Sequence, residues 1–263
     1  MLKTQNSPLG KETFYKETYD KSLLYPIPRS ENRLSLACDF FGADIWNCYE
    51  LSWLNGRGKP EIACLELIFP CTTPCLIESK SLKLYFNSFN QTRFYGKEQV
   101  LEKIREDLSE ASGGKVEVRE LTNQHLTTWK GESLDVLDVE IEAYSPQPDF
   151  LTAQDEFVEE VLTTNLFKSN CPVTGQPDWA SVLIHYEGNK IGHKGLLKYL
   201  ISFREHDAFH EACVERIFYD IQTRCKPKNL TVIARFTRRG GLDINPFRST
   251  LDLDVPNVRL PRQ

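Results

Sequence analysis

The chain lacks any apolar run approaching the ~20 residues that a membrane-spanning helix requires, so a helical membrane protein is excluded and no membrane partner is expected. Its opening residues, Met1 to Gly10, are polar and lack the apolar core of a secretory signal, so a cytoplasmic location is expected. There is no surplus of positive charge. Thirty-two Lys and Arg face 37 Asp and Glu, for a formal net charge of -5. A direct nucleic-acid partner is therefore not expected, although a local basic patch could hold a phosphorylated cofactor. The glycine-rich fingerprint Gly-x-Gly-x-x-Gly is absent, which argues against a Rossmann-type dinucleotide site. Cysteines are present but do not form a metal-binding pattern. Cys71 and Cys75 find no second close pair, and His206, His210 and Cys213 offer only one short His-x-x-x-His spacing. No metal is expected.

The 263 residues, 40% hydrophobic and 26% charged, suit a globular protein with one large domain or two ordinary ones. The eight cysteines are scattered through a mid-sized chain, so reduced thiols are expected rather than a disulfide framework.

Residues 1–32 mix Lys, Glu, Pro and Ser without periodicity and read as an extended N-terminal arm. Two β-prone stretches follow, Leu34 to Leu54 and Glu61 to Cys71, the second nearly apolar on both faces. Leu82, Tyr85, Phe86 and Phe89 fall at helical spacing. Val100, Leu101, Ile104 and Leu108 mark a second helix that stops at Gly113-Gly114. Strands are then expected at Val116 to Val118 and at Val139 to Ala143, with a linker over Ser145-Pro-Gln-Pro-Asp149. Beyond the linker the order returns: strands near Val158 to Lys168 and Trp179 to Glu187, helices near Gly192 to Glu205 and Phe209 to Thr223, a strand at Leu230 to Phe236, and a Pro- and Asp-rich tail. Shifting the chain by 114 positions superposes Lys80, Leu82, Tyr85, Ser88, Phe89 and Val100 on Lys194, Leu196, Tyr199, Ser202, Phe203 and Val214. The chain therefore reads as a duplicated α+β protein of two ββααββ units, 33–147 and 148–263. The copies differ at Glu78-Ser79, which lies opposite Gly192-His193. That divergence suggests a site to which each half gives different groups.

Four clusters could carry chemistry. Asn170 to Trp179 places Cys171 and Asp178 on the arms of a turn built from Pro172, Gly175 and Pro177. A thiol and an acid held this way suit covalent catalysis with proton donation. A small buried cysteine and a turn-forming aspartate are the alternative. Glu78-Ser79-Lys80 opens a helix, where Glu78 could equally be a cap. His210 and Glu211 open another, where both could be ordinary helix-start residues. Arg238-Arg239-Gly240-Gly241 ends a strand with paired guanidiniums and permissive backbone, which suits a phosphate ester; a solvated strand end is the alternative.

The run Glu-Ser-Lys-Ser-Leu-Lys-Leu-Tyr from Glu78, the Asn-Cys-Pro loop with its Asp-Trp, Phe-His-Glu-x-x-Val-Glu-Arg-Ile from Phe209, and Arg-Arg-Gly-Gly-x-Asp-Ile-Asn-Pro from Arg238 together resemble the NADPH-dependent 7-cyano-7-deazaguanine reductases in their long, duplicated form. These are the nitrile reductases of queuosine biosynthesis. The resemblance implies tandem tunnelling-fold units and a homodimer. It implies Cys171 as the nucleophile that forms a covalent thioimide, Asp178 as proton donor, and Ile77, Glu78, Ser79, His210 and Glu211 as substrate contacts. Ser79, Lys80, Arg239 and Gly240 correspond to the NADPH site, and two NADPH are needed per nitrile. Asp178 must hold a proton at neutral pH, so a poorly solvated site, or one close to another negative group, is expected for it. Two rivals predict other observations. A zinc hydrolase or cyclohydrolase of the same fold needs a Cys/His metal cluster. A non-catalytic purine binder needs no NADPH and no thiol.

Overall fold

A computed structural model describes residues 15–122 and 126–263. Residues 1–14, which hold the start of the expected arm, lie outside the described residues. Contacts divide the chain into two compact units, one comprising 15–33, 44–122 and Arg238–Asp243, the other Leu34–Ala43, 126–237 and Ile244–Gln263. The compact units and the repeat boundaries do not coincide: residues 34–43 and 126–147 cluster with the second unit, and Arg238–Asp243 with the first.

The first unit carries β1 (Pro26–Pro28), α1 (Ser30–Arg33), β2 (Phe41–Leu54, whose first three residues fall in the second unit), β3 (Pro60–Pro70), β4 (Cys75–Ile77), α2 (Ser79–Asn87), α3 (Lys97–Ser112) and β5 (Glu117–Glu120). Its sheet runs β5-β3-β2, with β3 and β5 antiparallel, and β1 and β4 form a separate antiparallel pair. Alternating burial along β3, with Ala63, Leu65, Leu67 and Phe69 inward, gives the period of two that half-buried strands need. α3 ends on Gly113 at φ 75°, the left-handed stop that Gly113-Gly114 signalled.

The second unit carries β6 (Glu132–Ser133), β7 (Ala153–Asn170), β8 (Pro177–Ile191), α4 (His193–Ile201), α5 (His210–Cys225), β9 (Asn229–Phe236) and β10 (Leu242–Ser249, whose first two residues fall in the first unit). The strands stand in the order β10-β9-β8-β7-β6. β7 to β10 are antiparallel neighbours, and short β6 is parallel to β7. From β7 onward the ββααββ order is complete. Val182, Ile184 and Tyr186 of β8 and Val232 and Ala234 of β9 pack with Leu196, Tyr199 and Phe203 of the first helical segment and Val214, Ile217 and Phe218 of the second. The antiparallel α+β architecture expected from the sequence is therefore present.

Hydrogen bonding shows the duplication directly. Tyr85 Oη donates to Asp107 at 2.6 Å, and Tyr199 Oη to Asp220 at 2.7 Å. Ser88 Oγ donates to the Tyr85 carbonyl, and Ser202 Oγ to the Tyr199 carbonyl, both at 2.6 Å. The segments leading into each copy are equivalent too. Asp20 N–H donates to Ser88 Oγ and Gln147 N–H to Ser202 Oγ, both at 3.1 Å. Glu78 N–H donates to the Tyr25 carbonyl and Gly192 N–H to the Thr152 carbonyl, both at 2.9 Å. In the described part of the expected arm, β1 pairs with β4 and buries Ile27. The expected linker, Ser145 to Asp149, is held by the Gln147 N–H bond to Ser202, the residue after α4.

Three expectations shift. The strand expected from Leu34 is β2, which begins at Phe41. Val139 to Ala143 forms no strand. Its apolar and acidic residues do alternate in burial, and Val139 packs against the second unit's core, but an alternating face without a ladder partner is only extended chain. Conversely, β10 was unforeseen. Its Asp243, Asn245, Pro246 and Arg248 read as loop, yet all eight residues are buried. Their polar atoms find internal partners: Asp243 accepts from Asn47 and Tyr49, and Arg248 donates to Glu215.

Candidate active site

In the second unit the thiol and the acid lie at the turn end of the β7–β8 hairpin. Asn170 pairs with Pro177 and Ser169 with Asp178. Between them Cys171 N–H donates to the Gln176 carbonyl and Gly175 N–H to the Cys171 carbonyl, both at 2.9 Å. Gly175 has φ +66°, the backbone that closes so short a turn. Cys171 is 5% exposed and Asp178 6%. The expected poor solvation of Asp178 is thus present.

The entry to α5 is tied to the same hairpin end. Asn170 N–H donates to the His206 carbonyl at 2.9 Å, and Ala208 N–H to the Asn170 carbonyl at 3.1 Å. α5 then opens at His210. Its Nε2 stands 3.8 Å from Asp178 Oδ1, and its ring lies edge-on to Phe236 with centroids 4.2 Å apart. Glu211, the next residue, is buried. The structure therefore brings Asp178, His210 and Glu211 together with the hairpin that holds Cys171.

A second thiol, Cys213, sits one turn into α5 and is fully buried. Burial pushes it up to about 12; the Ser169 hydroxyl opposes this, while the Asp178 and Glu211 charges add to it. Cys213 is thereby held as a neutral thiol. The sequence reading weighed Cys213 only as a metal ligand, since nothing in the spacing shows that it faces the aspartate.

In the first unit, Ile77 ends β4 and is buried, and Glu78 caps α2. The Glu78 carboxylate accepts from Lys80 N–H at 2.7 Å and Ser81 N–H at 2.8 Å. Burial raises its proton affinity against those two bonds and the charges of Lys83 and Lys80. Ser79 and Lys80, half-buried, form the first turn of α2. Capping is thus one role of Glu78, as the simpler reading had it. It does not consume every lone pair of the carboxylate.

Gly240 and Gly241 form a two-residue turn, with Arg239 just before it donating its N–H to the Leu242 carbonyl at 2.8 Å. Gly240 and Gly241 have φ +58° and +74°, the pair of positive values that a primed hairpin turn demands. A Cβ on Gly240 would lie 3.0 Å from Lys83 Nζ, so the turn and α2 meet at that ammonium. The bare glycine backbone beside a lysine is a cradle suited to an anionic cofactor group. The neighbouring Arg238 is otherwise engaged, with its guanidinium 3.5 Å over the Tyr49 ring and 4.0 Å from Asp243.

Among the described residues, the one group of three or more potential ligands with clustered atoms is Glu132, Glu160 and His193. It contains no cysteine. His193 bridges Glu132 and Glu160, and Glu160 also accepts from Tyr186. The thiol and histidine sets weighed from the sequence do not belong to it. No helix among the described residues is long and apolar enough to cross a membrane.

Comparison with known proteins follows the same division. A profile described as the N-terminal part of the nitrile reductase 7-cyano-7-deazaguanine reductase matches residues 15–120, and one described as "QueF-like protein" matches residues 177–254. A protein of Desulfotalea psychrophila named NADPH-dependent 7-cyano-7-deazaguanine reductase is 55% identical, over 97% of this chain and 97% of its own. Proteins of the same name from Cupriavidus necator and Ralstonia nicotianae are each 54% identical, the first over 98% of this chain and 99% of its own, the second over the full length of both.

Proposed function

Because this chain belongs to the family of NADPH-dependent 7-cyano-7-deazaguanine reductases, we propose that it reduces the nitrile through a covalent thioimide on Cys171, with Asp178 as proton donor. The observation that carries this reading is the buried hairpin holding Cys171 and Asp178, with the entry of α5 tied to its end. The protein is an NADPH-dependent oxidoreductase. Bound NADPH supplies hydride, twice over for the four electrons that separate a nitrile from a primary amine.

The residues divide the remaining work. A nitrile carbon is a poor hydride acceptor. Addition of the Cys171 sulfur as thiolate forms a C–S bond and opens one π bond of the triple bond to leave C=N, while Asp178 gives its proton to the nitrogen and becomes a carboxylate. The resulting protonated C=N is electrophilic, which explains the pairing of a thiol with an acid rather than with a base alone. Departure of the sulfur after the first reduction returns Cys171 to its starting state and leaves an imine, which must be shielded from water. His210 and Glu211 hold the deazaguanine, Glu211 accepting from its amide and amino hydrogens, with Ile77, Glu78 and Ser79 as further contacts. Ser79, Lys80, Arg239 and Gly240 hold NADPH. The same reading makes the enzyme a cytoplasmic homodimer that supplies the aminomethyl base for queuosine in tRNA.

Intact-mass spectrometry with the cyano substrate and no NADPH tests the proposal. Wild-type protein should gain one substrate mass and Cys171→Ala should not. A wild-type protein that never forms the adduct would refute the covalent step.

A further inference from the structure

Along the covered face of the β7–β8 hairpin, side chains stand in facing pairs: Leu162 with Ile184, Thr164 with Val182, Phe167 with Ala180, and Ser169 with Asp178. All of them are buried, and Leu162, Phe167, Ala180, Val182 and Ile184 belong to the core shared with α4 and α5. Only at the last pair do both strands give this face a polar side chain. Ser169 is 0% exposed, and its Oγ finds no nitrogen or oxygen partner among the described residues. A buried hydroxyl left this way costs stability. Alanine would fill the same place without that cost, so the fold alone gives no reason for a serine here.

The neighbours of Ser169 supply one. Residues directly opposite in an antiparallel pair carry their Cβ atoms about 4.5–5.5 Å apart. Rotation about a single side-chain bond therefore brings the Ser169 hydroxyl to the Asp178 carboxyl. From α5 the same end of the hairpin is faced by His210, with Nε2 3.8 Å from Asp178 Oδ1, and by Glu211 and the neutral thiol of Cys213. Cys171 stands at the hairpin tip, and Phe236 of β9 closes the side behind His210. A carboxylate formed in so buried a place, with the Glu211 carboxyl nearby, is stabilised by a neutral donor that brings no charge of its own.

We propose that Ser169 is a positioning residue for the proton transfer: its hydroxyl turns to donate to Asp178 as that residue protonates the nitrile nitrogen and becomes a carboxylate. The inference rests on the reductase reading above and adds a residue that acts through the acid. The serine keeps its own proton throughout. The proton transferred is that of Asp178, and the serine bond is released when Asp178 is protonated again.

The test compares wild type with Ser169→Ala in three measurements. The first is the rate of adduct formation with the cyano substrate and no NADPH, by rapid quench and intact mass. The second is the titration of Asp178, followed by the infrared band of its protonated carboxyl and assigned by the loss of that band in Asp178→Asn. It is made on a Cys171→Ala background, so that the nucleophile does not titrate beside it. The third is the melting midpoint. Loss of a hydrogen bond to a charged group is worth about tenfold to a hundredfold, so adduct formation should slow by that factor. The Asp178 midpoint should rise by about one to two pH units, and the melting midpoint should not fall. A merely structural serine would give a lower melting midpoint with the carboxyl titration unmoved. An Asp178 midpoint that moves by less than about half a unit overturns the proposal, whatever happens to the rate. The two readings fail separately. A wild type that forms no adduct sinks the reductase reading, whereas one that forms it, with an Asp178 titration indifferent to Ser169→Ala, sinks only this inference.

Discussion

Glu215→Ala should be among the most damaging single changes available in the second unit. Glu215 lies on α5 one turn beyond Glu211, and its Oε1 accepts from Arg248 Nε at 3.1 Å and Nη2 at 2.6 Å. Arg248 Nη1 donates to the carbonyls of Phe247 at 2.7 Å and Ala43 at 3.3 Å. The Arg248 side chain is 0% exposed and that of Glu215 3%. Deleting the carboxylate takes this ion-pair partner from a guanidinium buried in β10, a loss of about 3–5 kcal/mol. At roughly 2–4 °C per kcal/mol for a chain of this size, the melting midpoint should fall by about 6–20 °C. The pair is shielded from solvent, so added salt should not change the loss, unlike that at an exposed pair. Replacing both partners with apolar residues, Glu215→Leu with Arg248→Met, should recover most of it, because no charge then remains buried. Thermal unfolding of the single and double variants at low and high salt is the assay. A single-variant loss below about 1 kcal/mol, or a double variant no better than the single, would refute the argument.

Two other outcomes can be checked on the same scale. Burial raises the Glu78 carboxyl above the ordinary 4.5, so the folded state binds its proton more tightly than the unfolded chain. Its contribution is fully present below the ordinary value and is lost as pH rises through the raised one. The stability of wild type relative to Glu78→Gln should therefore decline across that window, and a difference independent of pH from 4 upward (about the unperturbed carboxyl value) would contradict the assignment. Tyr85→Phe and Tyr199→Phe each remove a hydroxyl that donates to a buried aspartate. Each should cost about 1.5–3 kcal/mol in urea unfolding, and a loss in one copy without the other would break the equivalence of the two.

Local signals in the sequence located the parts of this fold whose structure is locally determined. Gly113 ends α3 because a left-handed residue is needed there, and the alternation from Ala63 to Phe69 is a sheet face, so both could be read directly. β10 could not. Arg248 and Asp243 look like loop residues until Glu215, 33 positions earlier, and Asn47 and Tyr49, 196 and 194 positions earlier, appear beside them. The reverse error arose at Val139 to Ala143, where the pattern was right and the missing partner strand was invisible. Among the candidate site residues, Cys171 and Asp178 were legible as a pair because eight consecutive residues contain both. The approach of His210 to Asp178 was legible only through resemblance, since it depends on Asn170 hydrogen-bonding the segment before α5.

The two copies also show which changes a duplicated scaffold tolerates. Bonds inside each copy are preserved: tyrosine to aspartate, serine to tyrosine carbonyl, and the backbone pair that begins each first helix. The helix start and the hairpin tip are two places where the copies differ. At position 78 a carboxylate caps the helix. At the equivalent Gly192 a Cβ would lie 2.7 Å from Thr152 Oγ1, so no side chain is accommodated without displacing the threonine. The following His193 is turned into the Glu132 and Glu160 network, so this helix start is closed on itself. The hairpin tips differ in the opposite sense. The first copy's tip, Asn55 to Lys59, is tied by Asn55 and contains neither thiol nor acid, whereas the second carries Cys171 and Asp178. A helix N-terminus and a hairpin tip are the places where side chains change without disturbing the packed core. Duplication therefore leaves one copy with a capping carboxylate at its helix start and the other with a thiol and an acid at its hairpin tip, at little cost to the contacts that keep each unit folded.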